Sequence, residues 1–383
     1  MMFEKSLCWL RRDLRLMDNR ALKEATLNSK SVTIVFIFDT HILNELSDPS
    51  DKRITFIYSS LKELDLELRR QFGSQLIVRL GKPEEEIPKL AQQLQANAVF
   101  TNKDYEPYAK QRDAAVAAEL EGLQIGFFSF KDQVIFEENE ILNGSGVPYK
   151  VFTPYQKAWL SKVNPSEDFI EQKPDFTNLT VKSELKNHEH SWELNDIGFH
   201  EANLLLPAGS LGAQKLFKQF LLHIDKYEEQ RNFPSIEGTS KLSVHLRFGT
   251  ISIRELLRAI VEQKETAGKK VWQSELIWRE FYQMILFQFP YVVNKSFRPE
   301  YVDIIWPGKR EHFDLWCQGK TGYPIVDAGM RQLNETGWMH NRLRMITASF
   351  LVKDLHINWQ LGEKYFADKL VDFDLAANNG GWQ

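Results

Sequence analysis

Residues 32–38 read VTIVFIF, an unbroken apolar run rich in β-branched and aromatic side chains. A run of that length and kind reads as a strand buried on both faces. Four further runs belong with it: SLCWL (6–10), QLIVRL (75–80), NAVFTN (97–102) and IGFFSF (125–130). Between them, NRALKEATL (19–27), RITFIYSSLKELDLELRRQF (53–72), EEEIPKLAQQLQ (84–95) and KQRDAAVAAELE (110–121) read as amphipathic helices. Strands alternating with helices imply a parallel sheet covered on both sides, a doubly wound α/β domain over residues 1–135. No GxGxxG follows a strand and no GxxxxGK[ST] occurs, so it is neither a standard dinucleotide module nor a P-loop.

Beyond that domain the pattern changes. From about 160 to 210 the chain is polar and aperiodic, and residues 136–210 read as an inter-domain linker wrapping over a surface. Its HEH (188–190) is a His pair in a charged loop, read as solvated. From 211 to 383 nearly every segment has helical period, broken at NFPSIEGT, TAGKK, FP, WPGK and TGYP, giving an all-α domain. No internal repeat is present.

Composition narrows the function. The chain has 383 residues and a net charge of −4, so a generally basic DNA-coating protein is excluded and any nucleic-acid surface is a local patch. Cys8 and Cys317 are the only cysteines, which gives no disulfide framework and no Cys-based zinc site; no metal is expected. Without a signal-peptide core or a membrane-length apolar run, the expected setting is the reducing cytoplasm, away from membranes, with the protein a monomer.

Four segments carry chemistry. SELIWREFY (274–282) sets Glu275, Trp278, Arg279 and Tyr282 on one helical stripe. That stripe is either a solvated Glu–Arg pair beside a buried aromatic or the wall of a pocket for a planar ligand. In GWMHNRLRMITASF (337–350), Asn341 and Met345 share a face, Arg344 borders it and Arg342 points elsewhere. An amide reads a base-like edge as donor and acceptor together. EGTSKLS (237–243) places Thr239, Ser240 and Ser243 beside Lys241 at an apparent helix start, more hydroxyls than a cap needs and suited to an anion. The closing VDFDLAANNGGWQ (371–383) gathers Asp372, Asp374, Asn378 and Trp382, with Gly380-Gly381 expected to stop any helix. Arg344 is expected to pair with Asp372 or Asp374.

Taken together with WLRRDLRLMDN (9–19), these segments resemble the signature regions of the photolyase/cryptochrome family, most closely its class I cyclobutane pyrimidine dimer photolyases. The resemblance runs from end to end. It implies an α/β antenna domain followed by a helical domain holding FAD. Around the flavin it places Tyr227, Thr239, Ser240, Lys241, Leu242, Ser243, Trp272, Glu275, Arg279, Tyr282, Arg344, Asp372, Phe373, Asp374 and Asn378, with Asn378 facing N5. On the substrate side it places Glu275, Trp278, Asn341, Arg342 and Met345: Trp278 stacks on a dimer flipped out of DNA, as the family's base-flipping implies, and Glu275 hydrogen-bonds a thymine carbonyl. Trp306, Trp359 and Trp382 fall where the family places its electron-hopping chain, whereas Trp316 and Trp338 read as core. DNA contacts are expected from Arg342, and also from Arg344, Lys241, Arg247, Arg331 and Lys353.

The implied activity is light-driven repair of pyrimidine dimers in DNA by electron donation from excited reduced flavin. The rival readings are a cryptochrome-type photoreceptor and an inactive piece of a photolyase, since family members continue past NNGGWQ. A second, antenna chromophore is expected to be methenyltetrahydrofolate or a deazaflavin. DYEPYAKQRD (104–113) has Tyr108-Ala109 where folate-binding relatives carry Asn-Glu, so the acid for a pterin is missing.

Overall fold

The five apolar runs are strands β1 (Phe3–Leu10), β2 (Ser29–Asp39), β3 (Ile77–Gly81), β4 (Ala98–Asn102) and β5 (Gly126–Phe130) in the computed structural model, which describes residues 2–383. They form one parallel sheet in the order β3-β2-β1-β4-β5. The register sets Leu7 beside Thr33 on one side and beside Val99 on the other. Leu7, Trp9, Val35, Ile37, Ile77 and Val99 pack with Ile87, Leu90, Val116 and Leu120 from the covering helices. One expectation needs correcting. The two edge strands are not buried on both faces: among the described residues β5 pairs with β4 alone and Phe128 stays 39% exposed, and β3 pairs with β2 alone and Leu80 stays 45% exposed.

The covering helices are α1 (Arg20–Asn28), α2 (Lys52–Gln71), α3 (Pro83–Gln93) and α4 (Pro107–Gly122). Their starts follow local chemistry. Asn19 caps α1 through Leu22 N at 3.1 Å and Asp51 caps α2 through Arg53 N at 2.8 Å. Pro83 and Pro107 open α3 and α4, where a missing N–H costs nothing.

The chain divides into two compact units, one of residues 1–135, 164–215 and 248–261, the other of 136–163, 216–247 and 262–383. This interleaving differs from cuts at 135 and 210, and charge explains part of it. The helix Ile253–Val261 belongs with the sheet because Arg254 meets Asp18 at 2.9 Å and Asp132 at 2.7 Å, while Arg258 meets Asp18 at 2.8 Å. The polar stretch after residue 163 is likewise tied down. Leu179 bridges Val32 in parallel, and the Thr180 hydroxyl lies 2.8 Å from Ser31 and 2.9 Å from Thr33.

The second unit is helical. It contains α5 (Phe152–Lys162), the single turn Tyr227–Gln230, α6 (Ser243–Phe248), α7 (Ala267–Gln288), α8 (Asn341–Ser349), α9 (Trp359–Lys369) and α10 (Leu375–Trp382). One core cluster joins Trp316, Met330, Leu333, Met339, Leu343, Leu351 and Phe366. The paired glycines were expected to stop a helix, and here the structure corrects the sequence: Gly380 and Gly381 lie inside α10. A Cβ at Gly380 would strike the ring of Tyr282 on α7, so a glycine there lets the two helices approach closely.

Candidate functional site

A cavity of about 640 Å³ opens in the helical unit, within the range of roughly 300–1,000 Å³ typical of small-molecule sites. Tyr227, the 239–243 loop, Trp272, Glu275, Trp278, Arg279, Tyr282, Asn341, Arg342, Arg344, Met345, Asp372, Phe373, Asp374, Asn378 and Trp382 all line it. The stripe on α7, the face of α8 and the closing segment therefore meet in one place.

Its floor is set by the segment entering α10. The Arg344 guanidinium donates to Asp372 Oδ2 at 2.8 Å and to the Met339 carbonyl at 2.9 Å. Asp372 is 7% exposed, and its Oδ1 has no hydrogen-bond partner among the described residues. An unmet buried acceptor costs about 1–3 kcal/mol, so this oxygen suits a ligand N–H. Asp374 caps α10 through Ala377 N at 3.1 Å and accepts from Gln283 Nε2 at 3.2 Å, with Arg247 4.0 Å away. Asn378 donates its amide to Glu363 Oε1 at 2.8 Å.

One wall is aromatic. Trp272 packs on Phe217 and Phe220, its ring 5.0 Å from that of Phe220. Burial and the nearby Glu275 charge push the Tyr227 and Tyr282 phenols up to about 12, so both remain protonated donors. Glu275 is ion-paired with Arg231 at 2.6 Å. The opposite rim carries Asn341 and Met345, the latter 53% exposed, with Arg342 bonded to Asn232.

The charge balance of the lining is informative. Arg231, Lys241, Arg247, Arg279, Arg342 and Arg344 face Glu275, Asp372 and Asp374. In a chain of net charge −4, a cationic cavity favours a phosphate-bearing ligand. In the 239–243 loop Lys241 takes a positive φ of 53° and pairs with Glu237, while Ser240 Oγ accepts from Leu242 N at 3.4 Å.

The expected tryptophan positions divide. Trp382 lines the cavity, its ring 5.1 Å from Phe366, and Gly362 on α9 sits against the same indole. Trp359 begins α9 and is 9% exposed. Trp306 is outside the cavity; two residues on, Gly308 N donates to the His356 carbonyl at 3.0 Å, just before Trp359. Trp316 is core at 0% exposure, but Trp338 is not a core residue: it lines the cavity, with Lys241 Nζ 5.6 Å from its ring. Of the expected DNA-contact residues, Arg331 and Lys353 do not line the cavity, and Arg331 donates to the Gly319 carbonyl at 2.8 Å. Sequence reading missed Arg231, Gln283 and Glu363, whose partners are distant in the chain. In the α/β unit, Tyr108 donates to Asp39 at 2.6 Å and stacks on His41 at 4.7 Å. That position is engaged within its own unit.

The comparisons bear on the family of the chain. Residues 6–175 match the DNA photolyase family model, and residues 272–383 match that of the FAD binding domain of DNA photolyase. The chain is 42% identical over 391 residues to the deoxyribodipyrimidine photo-lyase of a Synechococcus strain, covering 98% of this chain and 80% of that protein. Among solved structures, a bacterial class III photolyase from Agrobacterium tumefaciens superposes with TM-score 0.89 at 32% identity, over 100% of this chain and 79% of the other. An archaeal photolyase from Sulfolobus tokodaii with two FAD molecules gives TM-score 0.84 at 32% identity, over 99% of this chain and 82% of the other.

Proposed function

This chain belongs to the DNA photolyase family, and on that premise we propose that it splits cyclobutane pyrimidine dimers in DNA by light, with FAD held in the cavity of its helical unit. The observation that carries the reading is the half-satisfied Asp372 carboxylate facing a cationic, aromatic-walled cavity. An isoalloxazine offers N–H groups for that oxygen and flat faces for the aromatic wall. Its pyrophosphate suits the arginines and the 239–243 hydroxyls. The residues present thus fit the group. When bound, the flavin supplies the light-driven electron that opens the cyclobutane ring.

The chain's own residues do the rest. Arg344 holds Asp372 by a charge-assisted hydrogen bond, and Gln283 fixes Asp374 by its side-chain amide. Asn378, held by Glu363, lines the cavity where it influences the flavin's redox state. Trp382, Trp359 and Trp306 offer oxidisable indoles along successive segments. Trp278, Asn341 and Met345 receive the flipped dimer. Glu275, ion-paired with Arg231, is placed to hydrogen-bond the dimer's pyrimidine edge, the role the resemblance gives it with a thymine carbonyl. Arg342 at the rim is suited to DNA phosphate. The protein acts as a cytoplasmic monomer.

The test is an absorption spectrum of purified protein followed by illumination with an oligonucleotide carrying one dimer. Flavin bands and light-dependent recovery of undamaged thymines are expected. Flavin bands without recovery would favour the photoreceptor reading, and no flavin at all would end both.

A further inference from the structure

No sequence motif singles out Phe152, yet its ring lies 3.7 Å from that of Trp278, centroid to centroid, at an interplanar angle of 8°. One face of the indole is therefore covered by protein. The covering ring is fixed. Phe152, Tyr155 and Trp159 form the buried face of α5, and all three are at most 9% exposed. Glu280, two residues beyond Trp278 on α7, accepts from Trp159 Nε1 at 2.6 Å, from the Phe136 backbone N–H at 3.0 Å and from the Tyr155 hydroxyl at 3.5 Å. Phe281 closes the cluster edge-on, 5.8 Å from Phe152 and 5.6 Å from Trp278. These bonds fix α5 against α7, and the Phe152 ring, 9% exposed and packed between Trp278 and Phe281, is a wall and not a lid.

An indole's outer torsion is broad when nothing bounds it, and ordering it at the moment of binding subtracts from affinity. We propose that Phe152 is a positioning residue for the repair reaction: by stacking on one face of Trp278 it holds the indole ready and leaves the remaining surface to the flipped pyrimidine dimer. This rests on the reading that Trp278 receives the dimer.

Four variants test it: F152L, F152Y, W278A and the double variant F152L/W278A. Binding is measured with a dimer-containing oligonucleotide and its undamaged counterpart, alongside the flavin-to-protein ratio. F152L should weaken dimer binding by roughly three- to tenfold, the worth of an aromatic pair. Undamaged-DNA affinity and flavin ratio should stay the same, which separates the effect from misfolding. F152Y, which keeps the ring, should restore dimer affinity. In the W278A background F152L should add nothing, because its effect passes through the indole. Unchanged or tighter dimer binding in F152L would overturn the proposal, as would additive losses in the double variant. If W278A itself left dimer affinity intact, the underlying reading would fall, an outcome distinct from the others.

Discussion

Both units bury aspartates against arginines, and they do it differently. In the α/β unit Asp18 and Asp132 have every carboxylate oxygen met. Asp132 receives Arg254 and the Arg20 backbone N–H on Oδ1 and Arg15 on Oδ2; Asp18 receives Arg254 and the Gln172 backbone N–H on Oδ1 and Arg258 on Oδ2. In the helical unit Asp372 has Arg344 on one oxygen and, among the described residues, nothing on the other. A closed network staples segments together, whereas a half-closed one is an acceptor held in place for a partner. The same chemistry gives a lock in one unit and a site in the other, and the number of donors supplied decides which.

The largest expected effect comes from breaking the lock. Arg254→Met leaves Asp18 and Asp132 buried with fewer cations and should cost about 3–5 kcal/mol, read as a lowered denaturation midpoint. A loss below 1 kcal/mol would show that the network adds little.

Acid should distinguish the two units. Burial pulls the fully buried His245 down from 6.5 to about 4, and His340 is also lowered by burial and by Arg342, Arg344 and Arg231. Both histidines are neutral when folded, so the unfolded chain takes up the proton first. Stability is complete above pH 6.5 and declines as pH falls toward 4, by about 3 kcal/mol for His245. Asp18 and Asp132 are shifted below 3.8 because Arg254 and Arg15 outweigh their desolvation, so the lock weakens only under stronger acid. Hydrogen exchange at pH 5 should therefore loosen the helical unit while the sheet stays protected. Equal loosening of both would contradict the contrast.

A smaller effect belongs to the open acceptor. Asp372→Asn should cut flavin retention by roughly ten- to a hundredfold, the worth of a charge-assisted hydrogen bond, measured as the flavin-to-protein ratio. The ratio should be unaffected by Asp39→Asn in the α/β unit. Trp306→Phe should change neither stability nor flavin content, yet slow photoreduction of oxidised flavin. Equal photoreduction rates would remove Trp306 from the relay.

Much of this was legible in the chain. The strands announced themselves because a strand covered on both faces must be apolar throughout, and the edge strands β3 and β5 escaped that rule. The i, i+3, i+4, i+7 stripe of Glu275, Trp278, Arg279 and Tyr282 and the closing acids were legible because each lies within one local element. Gly380-Gly381 was misread, since a glycine that breaks a helix and one that admits a neighbouring ring have the same one-letter code. Arg231 with Glu275, Gln283 with Asp374 and Phe152 with Trp278 were beyond reach, being pairs from remote segments.

By itself, then, the sequence determined the α/β sheet, the helical remainder and the short segments able to carry chemistry, because periodicity and capping act over a few neighbouring residues. Only the tertiary structure decided which oxygen of Asp372 goes unmet, which face of Trp278 is covered and which charges close on each other. Those outcomes depend on donors and rings brought together from distant parts of the chain, and no local pattern records their distances.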